Sequence, residues 1–235
     1  MTQPGDRHNS TSDSYSGDPM VGGPAQTRSL AEVDITKIAV GPYNNNAYLV
    51  RCLQTGEALL IDAAAEPDRL LDLLKTTSLE PEAPLSILTT HGHADHWQAL
   101  ADVVEATGAR TYAGRFDADD IPVATDVLVE DDDVITVGTV SLRAIHLVGH
   151  TQGSIALAYQ DPVGTTHIFT GDCLFPGGIG KTWDDPQRFE QLLTGVTTRI
   201  FDRFGDDTWI YPGHGADTTL GEQRPELAEW RARGW

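Results

Sequence analysis

Three histidines and an aspartate lie within six residues, in the run HGHADH at residues 91–96. Imidazole nitrogens and carboxylate oxygens are the ligands of zinc and of other borderline divalent metals. The run follows an apolar stretch that predicts a strand, and alternation along the chain can aim His91 and His93 to the same side. Asp95 and His96 are expected at the start of the next helix, aimed at a neighbouring point. We therefore predict that this one loop supplies ligands to two metal ions.

Three more candidate ligands lie further along the chain, each at the end of an apolar, strand-like run. They are His150, Asp172 and His214. Each has a glycine directly before it, and glycine allows a chain that leaves a sheet to turn sharply. We expect three strand ends to bring these side chains to the loop at residues 91–96.

At these seven residues the chain resembles the metallo-β-lactamase superfamily, whose signature is His-x-His-x-Asp-His followed by His, Asp and His. The resemblance extends over about residues 34–217. It implies two sets of metal ligands and one shared aspartate: His91, His93 and His150; Asp95, His96 and His214; and Asp172 bridging both ions. Two divalent metal ions are expected, with zinc as the first choice and iron or manganese as the alternatives.

The same resemblance implies hydrolytic chemistry. Two cations close together lower the pKa of a shared water toward about 7, so a metal-bridging hydroxide is the expected nucleophile. No serine or cysteine nucleophile is then required. Asp95 and Asp172 are the expected catalytic carboxylates, because Asp95 would orient the hydroxide and Asp172 would hold both ions.

The elements that must position these ligands are strands and helices in two similar halves. Strand-like runs are predicted at residues 35–40, 47–53, 58–61, 86–90 and 110–113, then at 134–137, 140–147, 154–159, 166–170 and 207–211. Helices are predicted from Pro67, over residues 95–107 and over residues 186–198. Two β-rich halves flanked by helices predict an α/β (α+β) chain folded as a four-layer αβ/βα sandwich. The resemblance implies the same metallo-β-lactamase fold, with the metals at one edge.

Composition sets the domain organisation and excludes several classes of partner. Residues 1–30 are rich in Ser, Gly, Asp, Thr and Pro and are expected to form a disordered tail, with one domain over residues 31–235. The net charge of −19 gives no electrostatic footprint for nucleic acid or an anionic membrane. We expect a cytoplasmic enzyme with a small-molecule substrate, while the oligomeric state stays open. Two cysteines, Cys52 and Cys173, imply no disulfide framework, and both are expected to be structural.

The segment after Asp172 points to one branch of the superfamily. Residues 170–175 (TGDCLF) and 180–183 (GKTW) resemble the glyoxalase II branch, the hydroxyacylglutathione hydrolases. In that branch a lysine contacts a carboxylate of the thiol carrier, and Lys181 matches it, while Trp183 stands where a tyrosine is usual. Lys181 and Trp183 are therefore the expected substrate-binding residues. The branch adds a helical domain after the last histidine, and we expect this chain to lack that domain.

The expected reaction is hydrolysis of a small thioester or ester, and other reactions remain open. A lactonase would use the same seven ligands. A persulfide dioxygenase would hold one iron with His91, His150 and Asp172. Two further histidines, His146 and His167, are expected to be ordinary sheet or rim residues, and Asp62 is expected to stabilise the loops of the site.

Overall fold

Two mixed β-sheets form the centre of the computed structural model, which describes residues 15–77 and 83–234. The first sheet has the order β1-β2-β3-β4-β5-β6-β7. Its strands are β1 (Gln26–Ser29), β2 (Val33–Val40), β3 (Asn45–Cys52), β4 (Ala58–Ile61), β5 (Leu85–Thr89), β6 (Arg110–Gly114) and β7 (Val127–Val129). The strands from β4 to β7 run parallel to one another, so their carboxyl ends meet at one edge.

The second sheet has the order β15-β14-β11-β10-β9-β8. Its strands are β8 (Val134–Val137), β9 (Val140–His146), β10 (Ile155–Gln160), β11 (Thr166–Gly171), β14 (Trp209–Pro212) and β15 (Thr218–Thr219). A separate hairpin joins β12 (Leu174–Phe175) to β13 (Gly178–Ile179). Strands β11 and β14 are parallel, so the residues that follow them emerge side by side.

In the described ranges, five α-helices cover the outer faces of the sheets. They are α1 (Pro67–Thr77), α2 (Leu100–Thr107), α3 (Pro186–Val196), α4 (Leu220–Gln223) and α5 (Leu227–Arg233). Leucines of α1 and α2 pack on the first sheet, whereas α3 and Trp230 of α5 pack on the second. A third apolar cluster, which includes Val50 and Phe169, fills the space between the sheets. The predicted four-layer αβ/βα sandwich is confirmed. No helix in the described ranges is long and apolar enough to cross a membrane.

The N-terminal segment differs from its prediction. Residues 1–14 of the expected tail lie outside the described residues, but Gln26–Ser29 form an edge strand that pairs with β2. The Tyr15 hydroxyl donates to Asp217 Oδ2 at 2.6 Å, and the Arg28 guanidinium lies 3.6 Å from the ring centroid of Trp209. Residues 15–30 are therefore bound to the domain by strand pairing and polar contacts, which need few large apolar residues.

The predicted helix over residues 95–107 begins later in the structure. Ala94–His96 form a single 3-10 turn, and α2 starts at Leu100. Between them the main-chain N–H groups of Gln98 and Ala99 donate to the carbonyls of Ala64 and Ala63. These bonds to the loop after β4 interrupt the helical ladder, so Asp95 and His96 lie in a short turn rather than in a helix.

Candidate metal centre

The seven predicted metal ligands converge at the edge where the strand ends meet. Their potential ligand atoms form three overlapping groups, each within 4.8 Å: His91, His93 and His150; His91, His96 and Asp172; Asp95, His96 and His214. We call His91, His93 and His150 the first half-site and Asp95, His96 and His214 the second half-site. Asp172 Oδ2 lies 3.6 Å from His150 Nε2 and 3.4 Å from His214 Nε2, so its carboxylate reaches both half-sites.

Strand ends carry these side chains, as the sequence predicts. Residues 91–96 follow β5, Asp172 follows β11 and His214 follows β14. The loops that carry Asp172 and His214 approach each other so closely that position 213 requires glycine. A Cβ atom there would lie 2.2 Å from Asp172 Oδ1 and 2.8 Å from His96 Cε1. Any other residue there would displace two of the converging groups.

Hydrogen bonds fix the orientation of four of the five imidazoles. The Nδ1 atoms of His150 and His214 lie 2.9 Å from the carbonyl oxygens of Lys181 and Tyr43, which can only accept. His96 Nδ1 lies 2.8 Å from Asp62 Oδ2 and His91 Nδ1 3.0 Å from Thr90 Oγ1. Each Nδ1 therefore carries a proton that donates outward, and each Nε2 faces the centre, where its lone pair binds a metal once any second proton has left the ring.

The inward nitrogens of the two half-sites crowd around one centre. His91 Nε2 lies 3.0 Å from His93 Nδ1 and 3.2 Å from His150 Nε2, while His96 Nε2 lies 3.2 Å from His214 Nε2. Asp172 Oδ1 is buried and accepts no hydrogen bond from the described residues. Converging lone pairs and an unsatisfied carboxylate oxygen are the donor set of a divalent metal, so the cluster fits a metal site.

Protonation differs between the half-sites. Burial lowers the pKa of His91, His93 and His150, that of His150 to about 4. These rings are therefore neutral at pH 7 and can bind a metal without losing a proton. Burial also opposes the charged forms of His96 and His214, but the carboxylates of Asp62, Asp172 and Asp95 outweigh it and raise both pKa values to about 10. Cation binding at the second half-site must therefore displace protons.

Asp62 connects the two half-sites from beneath. Its carboxylate accepts from the main-chain N–H of Thr90 at 2.7 Å, from the Thr90 hydroxyl at 2.8 Å and from His96 Nδ1. Because the Thr90 hydroxyl donates to Asp62, it is free to accept from His91 Nδ1. The predicted role of Asp62 in stabilising the loops of the site agrees with these contacts.

Asn45 and Asp117 also position the metal loop, and sequence reasoning missed both. Asn45 Nδ2 donates to the carbonyl of Asp95 at 3.0 Å and to its Oδ2 at 3.1 Å. The buried Asp117 carboxylate accepts from the main-chain N–H of Gly92 at 3.0 Å and from that of Gly153 at 2.7 Å. The available signal was position alone, since Asn45 begins β3 and Asp117 follows β6 at the edge where the ligands collect.

A buried ion pair supports the loop of His214 and was also missed. The fully buried Lys37 donates from Nζ to the carbonyls of Gly17 and Gly215, both at 2.7 Å, and to Asp217 Oδ1 at 2.6 Å. Asp217 also accepts from Trp209 Nε1 at 2.9 Å. The residues directly after His214 are therefore bound to β2 and to the N-terminal segment.

The two predicted substrate-binding residues lie beside the first half-site. The Trp183 ring stacks on His150 with centroids 5.4 Å apart and meets His93 edge-on at 5.3 Å. The Arg188 guanidinium lies 4.4 Å from the Trp183 ring centroid. The Lys181 side chain is exposed and makes no hydrogen bond or ion pair with any other described residue, while its carbonyl holds His150.

Other polar residues considered in the sequence lie outside the cluster. His146 Nε2 donates to the carbonyl of Gln152, and His167 Nδ1 lies 2.9 Å from the Tyr211 hydroxyl. Cys173 is fully buried beside α3, and burial raises the pKa of its thiol to about 12, so it is a core residue rather than a nucleophile.

Several known proteins have sequences and folds similar to those of this chain. The sequence profile of the metallo-beta-lactamase superfamily matches residues 40–216. A probable hydroxyacylglutathione hydrolase, glo2 of Schizosaccharomyces pombe, is 32% identical over 176 residues, which cover 74% of this chain and 65% of the yeast protein. The crystal structure of ETHE1 from Myxococcus xanthus is 26% identical with a TM-score of 0.72, and the match covers 84% of each chain. The crystal structure of TTHA1623 in a di-iron-bound form is 32% identical with a TM-score of 0.65, over 80% of this chain and 96% of that one.

Proposed function

This chain belongs to the metallo-β-lactamase superfamily and is a metallohydrolase, and on that premise we propose that it hydrolyses a small thioester at a centre of two metal ions. The observation that carries the proposal is the convergence of seven donor groups in two half-sites that share one carboxylate, Asp172. The first half-site would hold one ion, the second half-site the other, and Asp172 would contact both.

The donor set of five imidazoles and two carboxylates suits zinc. Iron and manganese accept the same ligands, and the relative with a di-iron form supports iron as the main alternative. Either pair of ions would activate a bound water at neutral pH and polarise the scissile carbonyl.

The protein's own carboxylates position the reaction. Contact with His214 lowers the pKa of Asp95, so its side chain is anionic and can accept a hydrogen bond from the attacking water. Asn45 fixes that carboxylate by donating to its Oδ2 and to the carbonyl of the same residue. In the overall reaction water adds to the thioester carbonyl, the carbon–sulfur bond breaks, and a carboxylic acid and a thiol are released.

A thioester with an anionic carrier is the substrate class that the first half-site supports best. The hydroxyacylglutathione hydrolase among the relatives supports thioester chemistry. Lys181 offers an exposed ammonium group with no partner among the described residues, beside the apolar ring of Trp183. We propose that Lys181 binds a carboxylate of the carrier and that Trp183 packs against its thioether.

A mononuclear dioxygenase would require only His91, His150 and Asp172 at its iron. The second half-site is a complete additional donor group, with His96 Nε2 3.2 Å from His214 Nε2 and His214 Nε2 3.4 Å from Asp95 Oδ2. These contacts favour the dinuclear hydrolase. A lactonase would share the metal centre and differs only in the substrate that it accepts.

The proposal is tested by assaying metal-loaded protein against thioesters of an anionic thiol, matched oxygen esters and lactones, with thiol release and acid production as readouts. We expect the thioesters to be the best substrates, and His214→Ala to abolish their hydrolysis. The matched control is His146→Ala, which removes an imidazole outside the cluster and should leave the rate unchanged. Turnover of lactones alone, or oxygen uptake with a persulfide and no thioester hydrolysis, would overturn the proposal.

A further inference from the structure

We infer that the metal cleft has a second subsite on the His214 side, with walls formed by Tyr43 and Phe175, and that this subsite accepts an apolar acyl group. The inference rests on the proposed thioesterase function and adds the class of acyl group to it.

The metal centre opens to solvent unevenly. The side chains of Asp95 and His214 are 28% and 23% exposed, whereas those of His96 and His150 are 0% and 5% exposed. Trp183 covers His150 on the other side. A substrate carbonyl must therefore approach with one arm toward Trp183 and the other past Asp95 and His214.

Two aromatic residues, Tyr43 and Phe175, are connected to His214 on this open side, Tyr43 through its main chain and Phe175 through its ring. The main chain of Tyr43 is fixed because its carbonyl accepts from His214 Nδ1, but the residue is 66% exposed and its ring has no ring contact with the described residues. The half-buried Phe175 ring lies on β12 with its centroid 6.3 Å from that of His214. Phe175 thus lies beside His214, and the exposed side chain of Tyr43 belongs to the residue whose carbonyl holds the same histidine.

The hairpin that carries Phe175 is held in place by the C-terminal helices. The main-chain N–H of Gly177 donates to Gln223 Oε1 at 2.7 Å, and Arg233 Nη2 donates to the Gly177 carbonyl at 3.1 Å. Gln223 is itself fixed by donating to the Thr218 hydroxyl. The Phe175 wall is therefore preorganised, which lowers the cost of binding an apolar group against it.

Charge separates the two arms of the cleft. The Lys181 side offers an ammonium group with no partner among the described residues. Behind the His214 side, Lys37 is engaged by Asp217 and two carbonyls, and Arg233 by Glu229 and Gly177. An anionic carrier is thus favoured on the Lys181 side of the cleft. The acyl group of the same substrate then lies on the His214 side, next to aromatic residues. Apolar burial against such rings favours alkyl or aryl acyl groups over small hydroxylated ones.

The test compares acetyl, butanoyl, hexanoyl, phenylacetyl and lactoyl thioesters of one carrier, 3-mercaptopropionate. For the native protein we expect kcat/KM to rise about threefold for each methylene from acetyl to hexanoyl, and the lactoyl ester to fall below the butanoyl ester. Phe175→Ala and Tyr43→Ala should flatten this dependence, because they should lower kcat/KM for the hexanoyl thioester far more than for the acetyl thioester. Tyr43→Ala keeps the carbonyl that holds His214, so the metal centre is preserved.

Phe116→Ala is the matched control, because Phe116 is another exposed aromatic residue in a loop, and it stacks on His146 rather than on a half-site. This variant should keep the full dependence on acyl length. Equal kcat/KM for acetyl and hexanoyl thioesters, or an equal loss in Phe116→Ala, would overturn the subsite and leave the thioesterase function standing.

A binding measurement tests the acyl subsite independently of the proposed thioesterase function. Calorimetry of metal-loaded protein should show that hexanoate binds at least about tenfold more tightly than acetate, and that Phe175→Ala removes the difference. If no thioester is hydrolysed and this preference is still found, the proposed function fails and the subsite stands. If the two carboxylates bind equally, the subsite is wrong.

Discussion

The two half-sites are held by contacts of different origin. In the first half-site, His91 is oriented by its chain neighbour Thr90, and His150 by a carbonyl 31 residues away. In the second half-site, Asn45 holds Asp95 from 50 residues away, and Tyr43 holds His214 across 171 residues. The first half-site is therefore built largely by local structure and a covering tryptophan, whereas the second depends on the packing of distant segments.

This difference predicts different sensitivities. Substitutions far from the ligands should loosen the second half-site more than the first, because the partners that fix it lie farther away along the chain. The second half-site is also the more exposed and the one whose histidines carry protons in the absence of a cation. The predictions below are ordered from the change that abolishes the distinction to the change that leaves both half-sites untouched.

The largest effect is expected for Asp172→Ala, because the Asp172 carboxylate lies 3.6 Å from His150 of the first half-site and 3.4 Å from His214 of the second. Two dications would lose a shared anionic ligand and repel each other across the gap, so kcat/KM should fall by about three orders of magnitude or more. Activity and metal content should be measured together, with circular dichroism as the check on folding. Native activity with native metal loading would show that Asp172 does not bridge.

A selective effect is expected for Asp62→Ala, which removes the acceptor of His96 Nδ1. Loss of such an outer partner costs about 10- to 100-fold in metal affinity, and here it should affect the second half-site first. Competition with a chelator should resolve one weakened and one retained metal. Asp62→Asn should weaken metal binding less. The control Asp119→Ala, which removes an exposed carboxylate, should change the affinity for neither metal. Equal weakening of both metals would contradict the distinction between the half-sites.

Lys37→Met tests the most distant support of the second half-site, the buried ion pair of Lys37 and Asp217. Leaving Asp217 buried without its cation should destabilise the protein by about 3–5 kcal/mol, which urea denaturation measures. The metal held with His214 should also bind more weakly, because the Gly215 carbonyl loses a donor. Adding Asp217→Asn should restore part of the stability but not the metal affinity. The control is Lys75→Met, at an exposed lysine. An unchanged affinity for the second metal in Lys37→Met would limit the ion pair to a structural role.

The smallest effect on the metal centre is expected for Lys181→Ala. The substitution keeps the carbonyl that holds His150, so both metals should bind as in the native protein. A charge-assisted hydrogen bond is worth about 1.5–3 kcal/mol, so KM for an anionic thioester should rise about tenfold with little change in kcat. Raising the salt concentration should shrink the difference. An unchanged KM on every anionic thioester would identify Lys181 as a surface residue.

The sequence predicted the layers and the side chains that converge at the centre, but not the supports of the second half-site. The metal motif lies within residues 91–96, and apolar periodicity marks most of the strands, so both can be recognised from the sequence alone. Asn45 looks like part of a turn, Asp117 like part of an acidic surface, and Lys37 like an exposed residue of a strand. Their roles arise only when strands β2, β3 and β6 are placed beside loops from the other half of the chain. The late start of α2 has the same origin, since bonds to residues 63 and 64 end the turn that carries His96.

The most direct test of the account is the metal content of His214→Ala beside that of the native protein, both purified without chelator. The account predicts about two equivalents per chain in the native protein and about one in the variant, since His214 serves only the second half-site. One equivalent in both proteins would contradict the dinuclear centre on which the proposed hydrolysis depends.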